Sequence, residues 1–155
     1  MEIFKDTDQT NILKGRKILV AASGSIAAVK TPSLVSRLIK AGAEVRCLVT
    51  PSASKLVSPL ALSTLSRNHC YQDNDQWNAK EPKPLHIELT EWAEILVIAP
   101  LSATSLSKWI NGSGEGLLAS VVLAAEIPII AAAAMNTGMW LNSRVQNNWE
   151  KLQNQ

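Results

Sequence analysis

Residues 17–23, KILVAAS, hold five consecutive apolar positions, Ile18 to Ala22, and the small residues Gly24 and Ser25 follow at once. A half-exposed strand alternates apolar with polar side chains, so a short unbroken apolar run predicts a strand covered on both faces. Beyond the turn, Ala28, Leu34, Val35, Leu38 and Ile39 recur at helical spacing, Gly42 stops the segment, and AEVRCLVTP (43–51) is a second β-rich run. Strand, tight turn, helix and strand make a βαβ unit with parallel strands. Pro32 lies within the helical stretch and removes a backbone donor, which predicts a kink there.

The alternation continues. EILVIAP (94–100) is apolar enough to be buried on both faces, and IPIIAAAAM (127–135) predicts another central strand. Between them, LSATSLSKWINGSGEGLLASVVLAAE (101–126) supplies two helical stretches joined by a glycine-rich turn at 112–116. NSRVQNNWEKLQ (142–153) predicts a last amphipathic helix capped by Asn142 or Ser143. PLALSTLSRN (59–68) is compatible with a helix, whereas 69–85 is polar, proline-bearing and expected to be an extended loop. The expected class is α/β: a Rossmann-like or flavodoxin-like parallel sheet with helices on both faces. Residues 1–14 show no periodicity and predict a flexible lead-in, leaving 15–155 as the single domain that a chain of 155 residues supports.

Composition excludes several classes. With 46% apolar and 18% charged residues the chain is not disordered, and a net charge of +2 without any Lys/Arg run gives nucleic acid nothing to bind. Cys47 and Cys70 have neither metal-ligand spacing nor the density of a disulfide framework, and no apolar run of about 18 residues exists to span a membrane. A reduced, cytoplasmic setting is the expectation.

In open parallel sheets, ligands bind beyond the carboxyl ends of the strands. The residues there are Ser23, Gly24, Ser25 and Ile26 after the first strand, and Thr50, Pro51 and Ser52 after the second. Ser102, Ala103, Thr104 and Ser105 follow the third, and Met135 and Asn136 the fourth. A glycine and free hydroxyls at a helix start can cradle a phosphate, because backbone N–H groups and the helix dipole face the anion. Ordinary capping explains one such turn equally well. Four of them at one sheet edge point to a nucleotide-like ligand, without saying which. His69 and His86 are the only histidines, and His86 is the better placed for proton transfer because it stands just ahead of a central strand.

Three stretches carry a family likeness: ILVAASGSIAAVK, HIELTEWAEILVIAPLSATSLSKWINGSGEGLLASVVLA and AAMNTGMW. In order and spacing they resemble the signature regions of the flavin-dependent cysteine decarboxylase family, most nearly its phosphopantothenoylcysteine decarboxylases. The likeness runs over about residues 15–152. Pro100 to Ser105 is similar to the family's Pro-Ala-Ser-Ala-Asn-Thr segment, with Thr104 in place of Asn. Ala133 to Trp140 is similar to Pro-X-Met-Asn-X-X-Met-Trp, with Ala133 in place of Pro.

The resemblance implies FMN held by Ser23, Gly24, Ser25, Ile26, Thr50, Ser52 and Ser102 to Ser105. It also implies catalysis by His86 and Asn136, with Asn136 and Met139 against a 4′-phosphopantothenoylcysteine substrate. In that chemistry the cysteine is oxidised at the carbon bearing sulfur, and the thioaldehyde so formed lets CO₂ leave. His86 would carry the proton and Asn136 would hold the carboxylate. The family assembles as a homotrimer, or a dodecamer of trimers, with sites at the subunit contacts. Its substrate clamp and clamp cysteine would follow the Met-Asn segment by about thirty residues, so a domain of 15–155 is expected to lack them. A peptidyl-cysteine decarboxylase, a flavin prenyltransferase-like enzyme and an inactive flavin-binding fragment are the alternatives.

Overall fold

The computed structural model describes residues 11–78 and 80–155. Five parallel strands form one sheet in the order β3–β2–β1–β4–β5: β1 Lys17–Ala22, β2 Glu44–Val49, β3 Cys70–Tyr71, β4 Ile95–Leu101 and β5 Ile129–Ala133. Of the two topologies expected, this is the Rossmann order. The α-helices among the described residues are α1 (Thr31–Lys40), α2 (Pro59–Ser66), α3 (Leu85–Trp92), α4 (Ala103–Ile110), α5 (Leu117–Ala124), α6 (Thr137–Trp140) and α7 (Ser143–Gln153).

The first strand shows why its run is unbroken. Ile18, Val20 and Ala22 enter one core with Val35 of α1, Val45 and Val49 of β2 and Leu62 of α2. Leu19 and Ala21 enter the other, with Leu89 of α3, Leu96 and Ile98 of β4, and Leu117 and Val121 of α5. Successive side chains leave a strand on opposite sides, so helices on both faces require apolar residues at every position.

Four expectations change. Pro32 does not kink a helix, because the stretch divides before it: a 3-10 turn covers Ile26–Lys30 and α1 begins at Thr31. Proline in that first turn removes an N–H that has no helical partner anyway. The segment 69–85 is not all extended loop, since Cys70–Tyr71 pairs with Cys47–Leu48 as an edge strand and Asp73–Trp77 forms a 3-10 turn. The run IPIIAAAAM holds an edge strand rather than a central one. β5 pairs with β4, Ile129, Ala131 and Ala133 are half-buried, and Ile130 is 56% exposed.

The fourth concerns the lead-in, whose residues 1–10 lie outside the described residues. Residues 11–14 are docked, with Leu13 packed on the first core and its N–H donating to the Ala41 carbonyl at 2.9 Å. Gly42 has φ +92°, and a Cβ there would sit 3.1 Å from the Lys14 Cα. One glycine thus both ends α1 and admits the crossing segment.

Candidate functional site

β1 and β4 are neighbours, and the chain winds outward from them in both directions. This is the switch point where a doubly wound sheet opens a crevice. The loops after β1, β2 and β4 meet there around a cavity of about 270 Å³, whose lining includes Gly24, Thr50, Ser52, Ser102, Thr104 and Ser105. A second hollow, of about 540 Å³, is lined by Gly24 to Ala27, Ser102 to Thr104, Ala134 to Asn136, and Met139. Gly24, Ser102 and Thr104 belong to both.

How the loops are fixed decides which side chains stay free. Along β4, pairing with β1 stops at Ile98, and the register with β5 shifts between Ile98 and Leu101. The Ala99 and Pro100 carbonyls therefore need other donors. Thr31 Oγ1 donates to Ala99 at 2.9 Å, and Ser23 donates to Pro100 from both its N–H (3.1 Å) and its Oγ (2.8 Å). Ser23 Oγ also accepts from the Ser102 N–H at 2.7 Å, inside a fully buried residue. Its side chain is a brace between two loops, which corrects its expected role as a phosphate ligand: the hydroxyl is already used as donor and acceptor.

Ser102 is engaged as well: its Oγ caps α4 by accepting from the Ser105 N–H at 3.2 Å and donates to the Ser105 Oγ at 3.3 Å. The hydroxyls of Thr50 and Ser25 are less committed. Thr50 Oγ1 accepts from the Ala53 N–H at 3.3 Å, and Ser25 Oγ from the Ala27 N–H at 3.3 Å, both long for strong bonds. Ser52 and Thr104 are exposed. Gly24 has no positive φ, and its necessity is steric: a Cβ would stand 2.5 Å from the Ser52 Cβ. The β1 and β2 loops touch through that absent side chain.

Asn136 follows β5 and caps α6, its Oδ1 accepting from the Gly138 N–H at 2.8 Å. That bond fixes which end of the amide is oxygen, because only oxygen can accept there. The NH₂ end makes no hydrogen bond among the described residues, and the residue is exposed in the hollow beside Met139. A neutral donor is thus available next to the small-residue loops. Trp140 packs edge-on to Trp149 at 5.6 Å, anchoring α6 to α7.

His86, the second residue of α3, lies elsewhere. It lines a different hollow with Asp73, Trp77, Gly114, Glu115 and Ser120, and it is absent from the one that holds Asn136. Within one chain the expected site residues Gly24 to Ile26, Ser102 to Thr104, Asn136 and Met139 come together, and His86 does not join them.

Asp73 and Lys108 also line the first cavity, and spacing alone does not find them. The available signal is that α5 begins after Gly116, with no side chain to cap it, so its capping group has to come from elsewhere.

Neither cysteine takes part. Cys47 and Cys70 face each other across β2 and β3, and burial pushes both thiols up to about 12. Buried, protonated thiols are inert. The folded chain is expected to resist iodoacetamide at pH 8 and to take two alkyl groups only after denaturation, as intact mass would record.

A family model described as Flavoprotein matches residues 6–155. The chain belongs to the flavoprotein family. Among curated relatives of this flavoprotein, the coenzyme A biosynthesis bifunctional protein CoaBC of Haemophilus influenzae is 41% identical over 141 residues, which is 91% of this chain and 35% of the relative. The chain spans about a third of the length of the curated relatives it matches first. A solved PPC decarboxylase mutant, C175S, complexed with pantothenoylaminoethenethiol, superposes with a TM-score of 0.81 at 37% identity, covering 91% of this chain and 79% of that one. The FMN-dependent cysteine decarboxylase SpaF gives 0.84 at 30% identity, with 90% and 79% covered. Among the described residues, no helix of the flavoprotein is long and apolar enough to cross a membrane.

Proposed function

We propose that the chain is an FMN-dependent decarboxylase of the cysteine moiety of 4′-phosphopantothenoylcysteine, acting in coenzyme A biosynthesis. The observation that carries this reading is the Asn136 amide. Its oxygen is held by the Gly138 N–H, its NH₂ makes no hydrogen bond among the described residues, and it shares a hollow with the small-residue loops 24–27 and 102–104. The likeness to PPC decarboxylase and to the bifunctional CoaBC supports it.

The donor set fits FMN. Gly24 keeps the space that a Cβ would fill, and exposed Ser52 and Thr104 with lightly committed Ser25 and Thr50 offer hydroxyls to a phosphate or ribityl chain. Phosphate belongs at Gly24, Ser25 and Ile26, where Ser25 caps the 3-10 turn. Bound FMN would supply a hydride acceptor for oxidising the cysteine carbon that bears sulfur. The protein's part is positioning and proton transfer. The Asn136 NH₂ donates to the substrate carboxylate without adding a positive charge, which would stabilise the starting anion and oppose CO₂ loss. Met139, 50% exposed, gives the cysteine stem an apolar wall. His86 is the proton carrier, a role suited to imidazole.

Because His86 and Asn136 line separate hollows of one chain, the complete site is assembled between copies, most simply in a homotrimer. The direct test is to purify the chain, look for bound flavin and assay CO₂ release from phosphopantothenoylcysteine; a colourless protein that releases none would overturn the reading. The assembly has its own check. His86→Asn and Asn136→Asp should each be inactive, and co-refolding the two should restore activity, since one interface in the mixture carries both native residues. No recovery in mixed oligomers shown to form by mass would place both groups in one subunit's site.

A further inference from the structure

We infer that Asp73 is a positioning residue that ties the cofactor cavity to the hollow of His86, an inference that rests on the proposed roles of those two places. Helix α5 begins after Gly116, whose φ of +93° excludes most side chains and which has none to cap the helix. The cap comes from far along the chain: the Leu117 N–H donates to Asp73 Oδ1 at 3.0 Å, across 44 residues. A Cβ on Gly116 would stand 3.0 Å from Asp73 Oδ2, so the missing side chain is what admits the carboxylate. A carboxylate at a helix N-terminus makes a charge-assisted bond that the helix dipole strengthens.

Asp73 opens the 3-10 turn Asp73–Trp77, which is also held from its other side. The Gln72 N–H donates to Asp75 Oδ2 at 2.7 Å, and His69 Nε2 lies 3.1 Å from the same oxygen. This turn lines the His86 hollow through Asp73, Asn74, Gln76 and Trp77. Three residues line both that hollow and the 270 Å³ cavity: Asp73, Glu115 and Gly116. Lys108 Nζ fixes the middle one, donating to the Glu115 carbonyl at 3.1 Å. The carboxylate of Asp73 is therefore the pin of a shared wall. Without it the Leu117 N–H loses its acceptor, the turn is free to leave α5, and both compartments change shape together.

The test compares wild type with Asp73→Ala, Asp73→Asn and Asp73→Glu, using FMN and phosphopantothenoylcysteine as probes. Asn keeps an acceptor oxygen at the same reach, whereas Glu keeps the charge but adds a methylene. In Ala and Glu the FMN dissociation constant should rise about 10-fold, the size of a lost helix cap. The His86 ring resonances in histidine-labelled protein should shift even without FMN. Flavin bleaching at saturating substrate should slow by roughly 10- to 100-fold, as for a group misplaced by about 1 Å. Asn should restore all three to near wild type. Wild-type FMN affinity and unmoved His86 resonances in both Ala and Glu would overturn the inference, and if Ala does not fold, Glu alone decides it. Failure of wild type to bleach would instead strike the proposed reaction, while affinity and resonances still judge Asp73.

Discussion

Asn136→Asp should leave the fold and the bound flavin intact and lower kcat/KM for CO₂ release by at least about 50-fold. The substitution is chosen because Asp, like Asn, accepts the Gly138 N–H, so the cap on α6 survives. What changes is the other end of the side chain, where a donor becomes an anion. Losing a hydrogen bond to a charged group costs about 1.5–3 kcal/mol. Repulsion between carboxylates at ~4 Å adds about 1 kcal/mol in water and about 4 kcal/mol at an effective dielectric near 20. The lower figure applies to an exposed residue in a single chain and the higher one to a site closed by a second subunit, and either suffices. Circular dichroism and the flavin spectrum check the first half of the prediction, and a CO₂ assay the second. Turnover within threefold of wild type would remove Asn136 from carboxylate binding and leave it as a cap alone.

The second large effect is expected from a single methyl group. Gly24→Ala puts a carbon 2.5 Å from the Ser52 Cβ, against an ordinary contact of about 3.5–4.0 Å, so one of the two loops must withdraw. Overpacking of this kind costs about 1–3 kcal/mol, and here the strain falls on the loops proposed to hold the phosphate. Flavin affinity should fall by roughly 5- to 150-fold, readable by titrating FMN fluorescence. The cause can be isolated. Ser52→Gly removes both the Cβ at 2.5 Å and the Oγ at 3.4 Å, leaving the Ser52 carbonyl carbon at 3.8 Å as the nearest neighbour. Gly24→Ala should therefore cost less flavin affinity in a Ser52→Gly background than in wild type, a coupling that independent sites would not show and that the full cycle separates from any loss of the Ser52 hydroxyl itself. An equal cost in the two backgrounds would locate the damage elsewhere.

Much of this architecture is legible in the residues, and what is not has physical causes. The unbroken run at 18–22 predicts a strand covered on both faces, and its residues do divide between the two cores. The loop positions at the carboxyl edge follow from the strand ends, and Gly24, Ser102, Thr104 and Asn136 do meet there. β3 escapes prediction because two residues carry no periodicity. β5 misleads because an apolar run signals cover without saying that a neighbouring strand provides it, and one of its faces is open among the described residues. Ser23 is mistaken for a ligand because a serine in a turn looks the same whether its hydroxyl faces solvent or a carbonyl 77 residues away. Asp73 is invisible for a similar reason: its partner, the Leu117 N–H, is backbone and distant.

The Ser23 brace has a consequence for the tempo of cofactor capture. Its hydroxyl joins the β1 and β4 loops through two bonds of 2.8 and 2.7 Å in a buried setting, so these segments lose their conformational freedom when the chain folds. Preorganisation of this sort lowers the entropic cost of association. Loading of the empty protein should then be governed by diffusion and docking, with a single second-order phase whose rate rises linearly with cofactor concentration, and residence time should be set by the exit of the cofactor from a rigid cradle.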